Sequence, residues 1–147
     1  FFFKKLNDLG FRVFFLANPK VPKEKQNIYK NCKIIYYKTP EYIKKSDLVI
    51  FTSSSTIEYA IIFKKKILRL FSKEFNSYPI NIQEYIGFKK FFCTSGFDLD
   101  TKFSKKEMKD KTLSPCVKYN EYFSKFIRHP KSKNLKFTTI IEKLLPR

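Results

Sequence analysis

Glycine and proline are scarce in this chain, at three and seven among 147 residues, which excludes collagen-like and low-complexity architectures. Acidic residues are few as well, 13 Asp and Glu against 31 Lys and Arg. No apolar run approaches the roughly 18 residues of a membrane span, because Lys and Arg interrupt every candidate. Three cysteines at wide spacing, Cys32, Cys93 and Cys116, fit neither a disulfide framework nor a paired-cysteine zinc site and point to a reducing compartment. They stand in or beside apolar segments, which reads as packing rather than nucleophilic chemistry. The lone histidine, His129, has no second imidazole with which to share a metal and reads as a surface or capping residue. An initiating Met is lacking too. The chain opens Phe1-Phe2-Phe3-Lys4-Lys5 with no charged segment ahead of its apolar residues, so it does not read as a signal peptide, and a fragment, or a processed or incomplete chain, is expected.

What is present is apolar and cationic. With 43% hydrophobic residues, including 18 Phe and 9 Tyr, the chain can build a core and is no disordered polycation. Its length suits one domain of about 100–200 residues. The net charge of +18 comes from 27 Lys and only four Arg. Base readout and bidentate phosphate recognition favour Arg, which argues against a dedicated nucleic-acid binder. An anionic membrane surface or a phosphorylated ligand suits the charge equally well.

The apolar pattern predicts an α/β fold. Phe2, Phe3, Leu6 and Leu9 have helical spacing and stop at Gly10, a residue suited to a left-handed helix end. Residues 11–17 form a short β-rich run broken by Asn18-Pro19, and 33–37 form a second. Thr39-Pro40-Glu41 supplies cap, N-terminal proline and first-turn acid for a helix through Lys45. Residues 47–51 give a third strand, 56–63 a helix and 66–70 a fourth strand. Short apolar strands separated by helices, without hairpin turns, predict a Rossmann-like parallel sheet of four to five strands. Beyond it a helix is expected over 79–88, a last strand over 89–94, and a polar loop over 96–114 with a short helix near 104–109. Two helices close the chain, one carrying Tyr119, Phe123 and Phe126, the other Phe137, Ile140, Ile141, Leu144 and Leu145.

Ligands of open α/β sheets bind beyond the carboxyl ends of the strands. Two loops there are chemically distinctive, Asn18-Pro19-Lys20 and the hydroxyl cluster Thr52-Ser53-Ser54-Ser55-Thr56. Free amides at the start of the following helix, with the hydroxyls, would cradle a phosphate. A capping box, Ser55-x-x-Glu58, explains the same residues without a ligand. Glu58 either closes that box or accepts from ribose hydroxyls. Asp98 and Asp100 suit a solvated turn or a cation, and Lys64-Lys65-Lys66 a solvated turn.

The succession 11–20, then Tyr37-Lys38-Thr39-Pro40-Glu41-Tyr42-Ile43-Lys44-Lys45-Ser46-Asp47-Leu48-Val49-Ile50, then 53–68, resembles the C-terminal half of bacterial surface-polysaccharide glycosyltransferases of the GT-B architecture. The resemblance covers residues 1–75 best and the segment Lys118-Tyr119-Asn120-Glu121-Tyr122 less specifically. Bacterial sialyltransferases and their relatives carry a His-Pro motif after one strand and a Ser-Ser/Thr motif after a later one. Here the second is Ser53-Ser54-Ser55-Thr56, while Asn18-Pro19 replaces the first. Asparagine can hydrogen-bond a phosphate but cannot donate a proton as imidazolium does.

The resemblance implies a metal-independent glycosyltransferase for surface polysaccharide or lipo-oligosaccharide, without a resident cofactor. Asn18, Pro19, Lys20, Thr52, Ser53, Ser54, Ser55, Thr56 and Glu58 would bind the nucleotide-sugar donor. It assigns no catalytic residue here. The catalytic base and the glycan or glycolipid acceptor would belong to an N-terminal domain, so that these 147 residues are one Rossmann-like domain, inactive alone. Cytoplasmic placement follows, with the cations drawing the protein to the inner membrane face. The alternative is a small basic module for nucleic acid or anionic lipid. Against a base-stacking surface, the aromatic residues fall on core spacings rather than alternating with Lys.

Overall fold

A computed structural model of the chain describes residues 2–18, 31–74, 77–94, 96–100 and 104–128. They form a mixed α/β, Rossmann-like arrangement in which every strand pair is parallel. The chain divides into two compact units, residues 1–45 and 46–147.

The first unit holds α1 (Phe2–Asp8), β1 (Phe14–Leu16), β2 (Lys33–Ile35) and α2 (Thr39–Lys45). Gly10, at φ 86°, ends α1. Its amide donates to the Asn7 carbonyl while the Phe11 amide donates to the Leu6 carbonyl, the paired bonds of a Schellman motif. Only Phe14–Leu16 of the apolar run at 11–17 pairs as a strand, with Phe15 opposite Ile34. Leu6, Ala17 and Ile43 are buried. Phe15 meets Phe3 edge-on and Phe14 packs against Tyr42. In α2 the Tyr42 amide donates to the Lys38 carbonyl, so Thr39 is the first helical residue and Pro40 and Glu41 sit in the first turn, where a missing N–H and a carboxylate are tolerated best.

The second unit runs β3 (Leu48–Phe51), α3 (Thr56–Ile62), β4 (Lys66–Phe71), α4 (Pro79–Phe92), β5 (Phe97–Asp98), α5 (Lys105–Lys111) and α6 (Val117–Tyr122), continued by a π-helical turn at Phe123–Ile127. The strand order is β3-β4-β5. The five strands thus pair as a two-stranded and a three-stranded sheet. The middle strand β4 is buried over Ile67, Leu68, Arg69 and Leu70, the near-continuous apolar pattern of a parallel strand covered on both faces. Ala60, Ile61, Phe92, Phe97 and Tyr119 are among the other residues buried in this core.

Two expectations are corrected here. Residues 89–92 are not a strand but the last turn of α4, because Phe88 and Phe92, one helical turn apart, are both buried and their rings pack 4.9 Å between centroids. The last strand falls later, at Phe97–Asp98, held by pairing with Leu70 and Phe71. Helix α5 forms where a short helix was expected, and the Ser104 hydroxyl caps it by accepting from the Glu107 amide at 3.1 Å. Of the two closing helices, that carrying Tyr119 is present, while residues 137–145 lie outside the described residues. Among the described residues no helix is long and apolar enough to cross a membrane.

Candidate functional site

The second unit carries a cleft of about 920 Å³ at the carboxyl end of β3, a volume typical of small-molecule sites. It is built from three directions. The loop at residues 52–55 follows β3 directly, so Thr52, Ser53, Ser54 and Ser55 line it together with Glu58 of α3. Phe51 and Arg69 are register partners on β3 and β4 and form its floor. Lys90, Phe91 and Phe92 of α4 make one wall, and Lys118, Tyr122, Lys125 and Phe126 of α6 and the π turn make another.

Arg69 is 3% exposed, although it carries a charge that burial penalises. Its guanidinium lies 5.4 Å from the ring centroids of both Tyr85 and Phe88, whose electron-rich faces offset part of that cost. A guanidinium does not deprotonate in a protein, so the floor holds a permanent positive charge. Lys118 sits 3.1 Å from a Glu121 carboxylate oxygen and 5.7 Å over the Phe91 ring. The hydrogen bond to Glu121 and its charge raise the Lys118 pKa above the ordinary lysine value, keeping it cationic. Lys125 lies over Phe126 at 5.4 Å. Four cations therefore line the cleft against one carboxylate, Glu58, alongside aromatic side chains.

The hydroxyl loop does not work as the sequence suggests. Ser55 occupies the N-cap position of α3 at φ −59°, ψ −10°, and its side chain makes no capping hydrogen bond, so the Ser55-x-x-Glu58 capping box does not close. Ser54 takes over: its Oγ accepts from the Thr56 amide at 3.1 Å and donates to Thr56 Oγ1 at 2.7 Å. The Ile57 and Glu58 amides donate to the Ser54 and Ser55 carbonyls. The first-turn amides expected to cradle a phosphate are thus engaged inside the loop, and the seven residues of α3 give only a short dipole. An anion placed in the cleft would meet hydroxyls and cationic side chains instead.

The remaining candidates are dispersed. Asn18 is exposed at the end of β1, in the first unit, whereas the hydroxyl loop belongs to the second. Pro19, Lys20 and His129 lie outside the described residues. Asp98 ends β5 and Asp100 stands in the turn after it: Asp98 Oδ1 accepts from the Asp100 amide and Asp100 Oδ2 from the Lys73 amide. Among the described residues no group of three His, Cys, Asp or Glu could hold a metal. Packing does not account for all the cysteines, since Cys93 and Cys116 are exposed at the ends of α4 and α6. Cys32 is half-buried, and burial pushes its thiol pKa up.

Arg69, Lys90, Phe91, Lys118, Tyr122, Lys125 and Phe126 were not legible as site residues. A charge inside Ile67-Leu68-Arg69-Leu70 was one available signal, because a fully buried strand has no solvated face for it. A second was Lys118, Tyr122 and Lys125 at i, i+4 and i+7, one helix face alternating charge and ring. Phe126, read from its spacing as core, is 55% exposed. No protein-family model matches the chain, and no curated protein or solved structure matches it.

Proposed function

We propose that the second unit binds the donor nucleotide of a GT-B glycosyltransferase acting in bacterial surface-polysaccharide or lipo-oligosaccharide synthesis. The observation that carries this reading is the meeting of the hydroxyl loop with the buried Arg69 charge in one aromatic-walled cleft at the carboxyl end of a parallel strand. Parallel α/β sheets place ligands at that end. A nucleotide sugar has a phosphate group for Arg69, Lys118 and Lys125, a ring for the aromatic walls, and hydroxyls for Glu58 and the serines. Charge developing on the leaving nucleotide would meet fixed cations in a partly dry site, which stabilises it without a metal. A second domain would supply the acceptor glycan or glycolipid and the catalytic base. The surplus of lysines would favour approach to an anionic membrane face.

Calorimetric titration with CMP, UMP, UDP and GDP tests this. At least one should bind, and Ser53→Ala combined with Ser55→Ala should weaken it about tenfold, the value of one or two lost hydrogen bonds to a charged group. Nucleotide binding that ignores these serines would remove the site. A short oligonucleotide bound far more tightly than any mononucleotide, with steep salt dependence, would favour the nucleic-acid reading, to which the alternation of Lys118, Tyr122, Lys125 and Phe126 along the cleft lends some support.

A further inference from the structure

Gly87 lies in the interior of the 14-residue helix α4 and lines the cleft. Among the described residues nothing requires a glycine there: its φ is not left-handed, and a Cβ built at this position meets none of their atoms within 4 Å. Glycine in a helix interior is less favourable than alanine, through the backbone freedom it loses on folding. What the missing side chain provides is access: the α4 backbone is bare toward the cleft at Gly87, bordered by Lys90 and Phe91 one turn along the same face.

We propose that Gly87 is the specificity-determining floor of a ring-binding subsite, where a flat ring of the bound nucleotide rests on the α4 backbone beside Phe91. This rests on the nucleotide reading above. It assigns the two halves of such a ligand to different parts of the cleft. The phosphate goes to Arg69 and the hydroxyl loop, and the base goes to Gly87 and the aromatic corner where Phe91 meets Tyr122 and Phe126 edge-on at 5.5 and 5.7 Å.

The test is a pair of substitutions, Gly87→Ala and Gly87→Leu, read by thermal unfolding and by calorimetric titration with UDP, GDP and inorganic pyrophosphate. Alanine should raise the melting temperature by a few degrees, since it is the better helix former. The same change should weaken the nucleotide that binds the unaltered chain by about tenfold or more, the usual effect of one misplaced carbon in a fitted pocket, and leucine should abolish its binding. Pyrophosphate affinity should not change. Equal nucleotide affinity in all three proteins would overturn the subsite while leaving the proposed function intact. Parallel loss of pyrophosphate and nucleotide binding would also overturn it, because the effect would then not belong to the ring. Absence of any nucleotide binding by the unaltered chain would overturn both readings.

Discussion

Gly96→Ala joins the fold of the second unit to its cleft. Gly96 has φ 72° and stands directly before β5, where a Cβ would lie 2.6 Å from the Arg69 carbonyl oxygen and 3.2 Å from the Arg69 Cβ. The left-handed conformation alone costs a residue with a side chain about 1–2 kcal/mol. The close contact adds strain of about 1–3 kcal/mol, as overpacking does elsewhere. Arg69 cannot swing away cheaply, because β4 is hydrogen-bonded to β3 on one side and β5 on the other. A loss of about 3 kcal/mol divided by a urea slope of about 2 kcal/mol/M lowers the denaturation midpoint by about 1.5 M. Circular dichroism in urea measures it. Gly96→Asn separates the two causes, since asparagine tolerates the left-handed region better but still carries a Cβ. A midpoint shift below about 0.3 M for both variants would refute the reasoning.

Two further outcomes follow from backbone geometry and burial. Lys64 ends α3 at φ 51°, with its amide on the Ile61 carbonyl and the Lys65 amide on the Ala60 carbonyl; Lys64→Gly should stabilise the chain by about 0.5–1 kcal/mol, and a destabilised variant in urea would contradict the assignment. The Tyr119 hydroxyl donates to the Lys65 carbonyl at 2.7 Å with a longer contact to Leu113, so Tyr119→Phe should cost about 1–2 kcal/mol at neutral pH. Burial, assisted by Cys116, raises the phenol pKa above its ordinary 10.0. Its contribution is therefore fully present below pH 10 and lost as pH rises toward the folded-state value, so the gap to Tyr119→Phe should narrow above pH 10; a gap that stays constant or widens in alkaline urea titrations would refute this.

How much was legible depended on whether the signal was local. The α1 stop at Gly10 and the strands around Leu48–Phe51 and Lys66–Phe71 are written in neighbouring residues and fold as read, while Thr39-Pro40-Glu41 starts a helix with Thr39 inside it rather than as its cap. The sequence reading ends helix α4 early because Phe91-Phe92-Cys93 has β propensity, whereas packing of Phe92 against Phe88, Tyr119 and Tyr122 favours helix. Its end gave no warning, since Cys93 rather than glycine takes the left-handed position at φ 56°. A strand of two residues such as Phe97–Asp98 has no period to detect and exists by tertiary pairing. The hydroxyl loop was found by residue type, but its partners Arg69, Lys118 and Lys125 lie 13 to more than 60 residues further on, and only the folded chain brings them to the same cleft.

The most direct test of the nucleotide-binding claim is amide chemical-shift mapping of the ¹⁵N-labelled chain during titration with UDP and GDP. Saturable shifts should concentrate at residues 52–58, around Arg69, at 87–92 and at 118–126, the segments that contribute lining residues to one cleft. Shifts scattered over the lysines outside the cleft and vanishing in moderate salt, or no shifts at all, would contradict it.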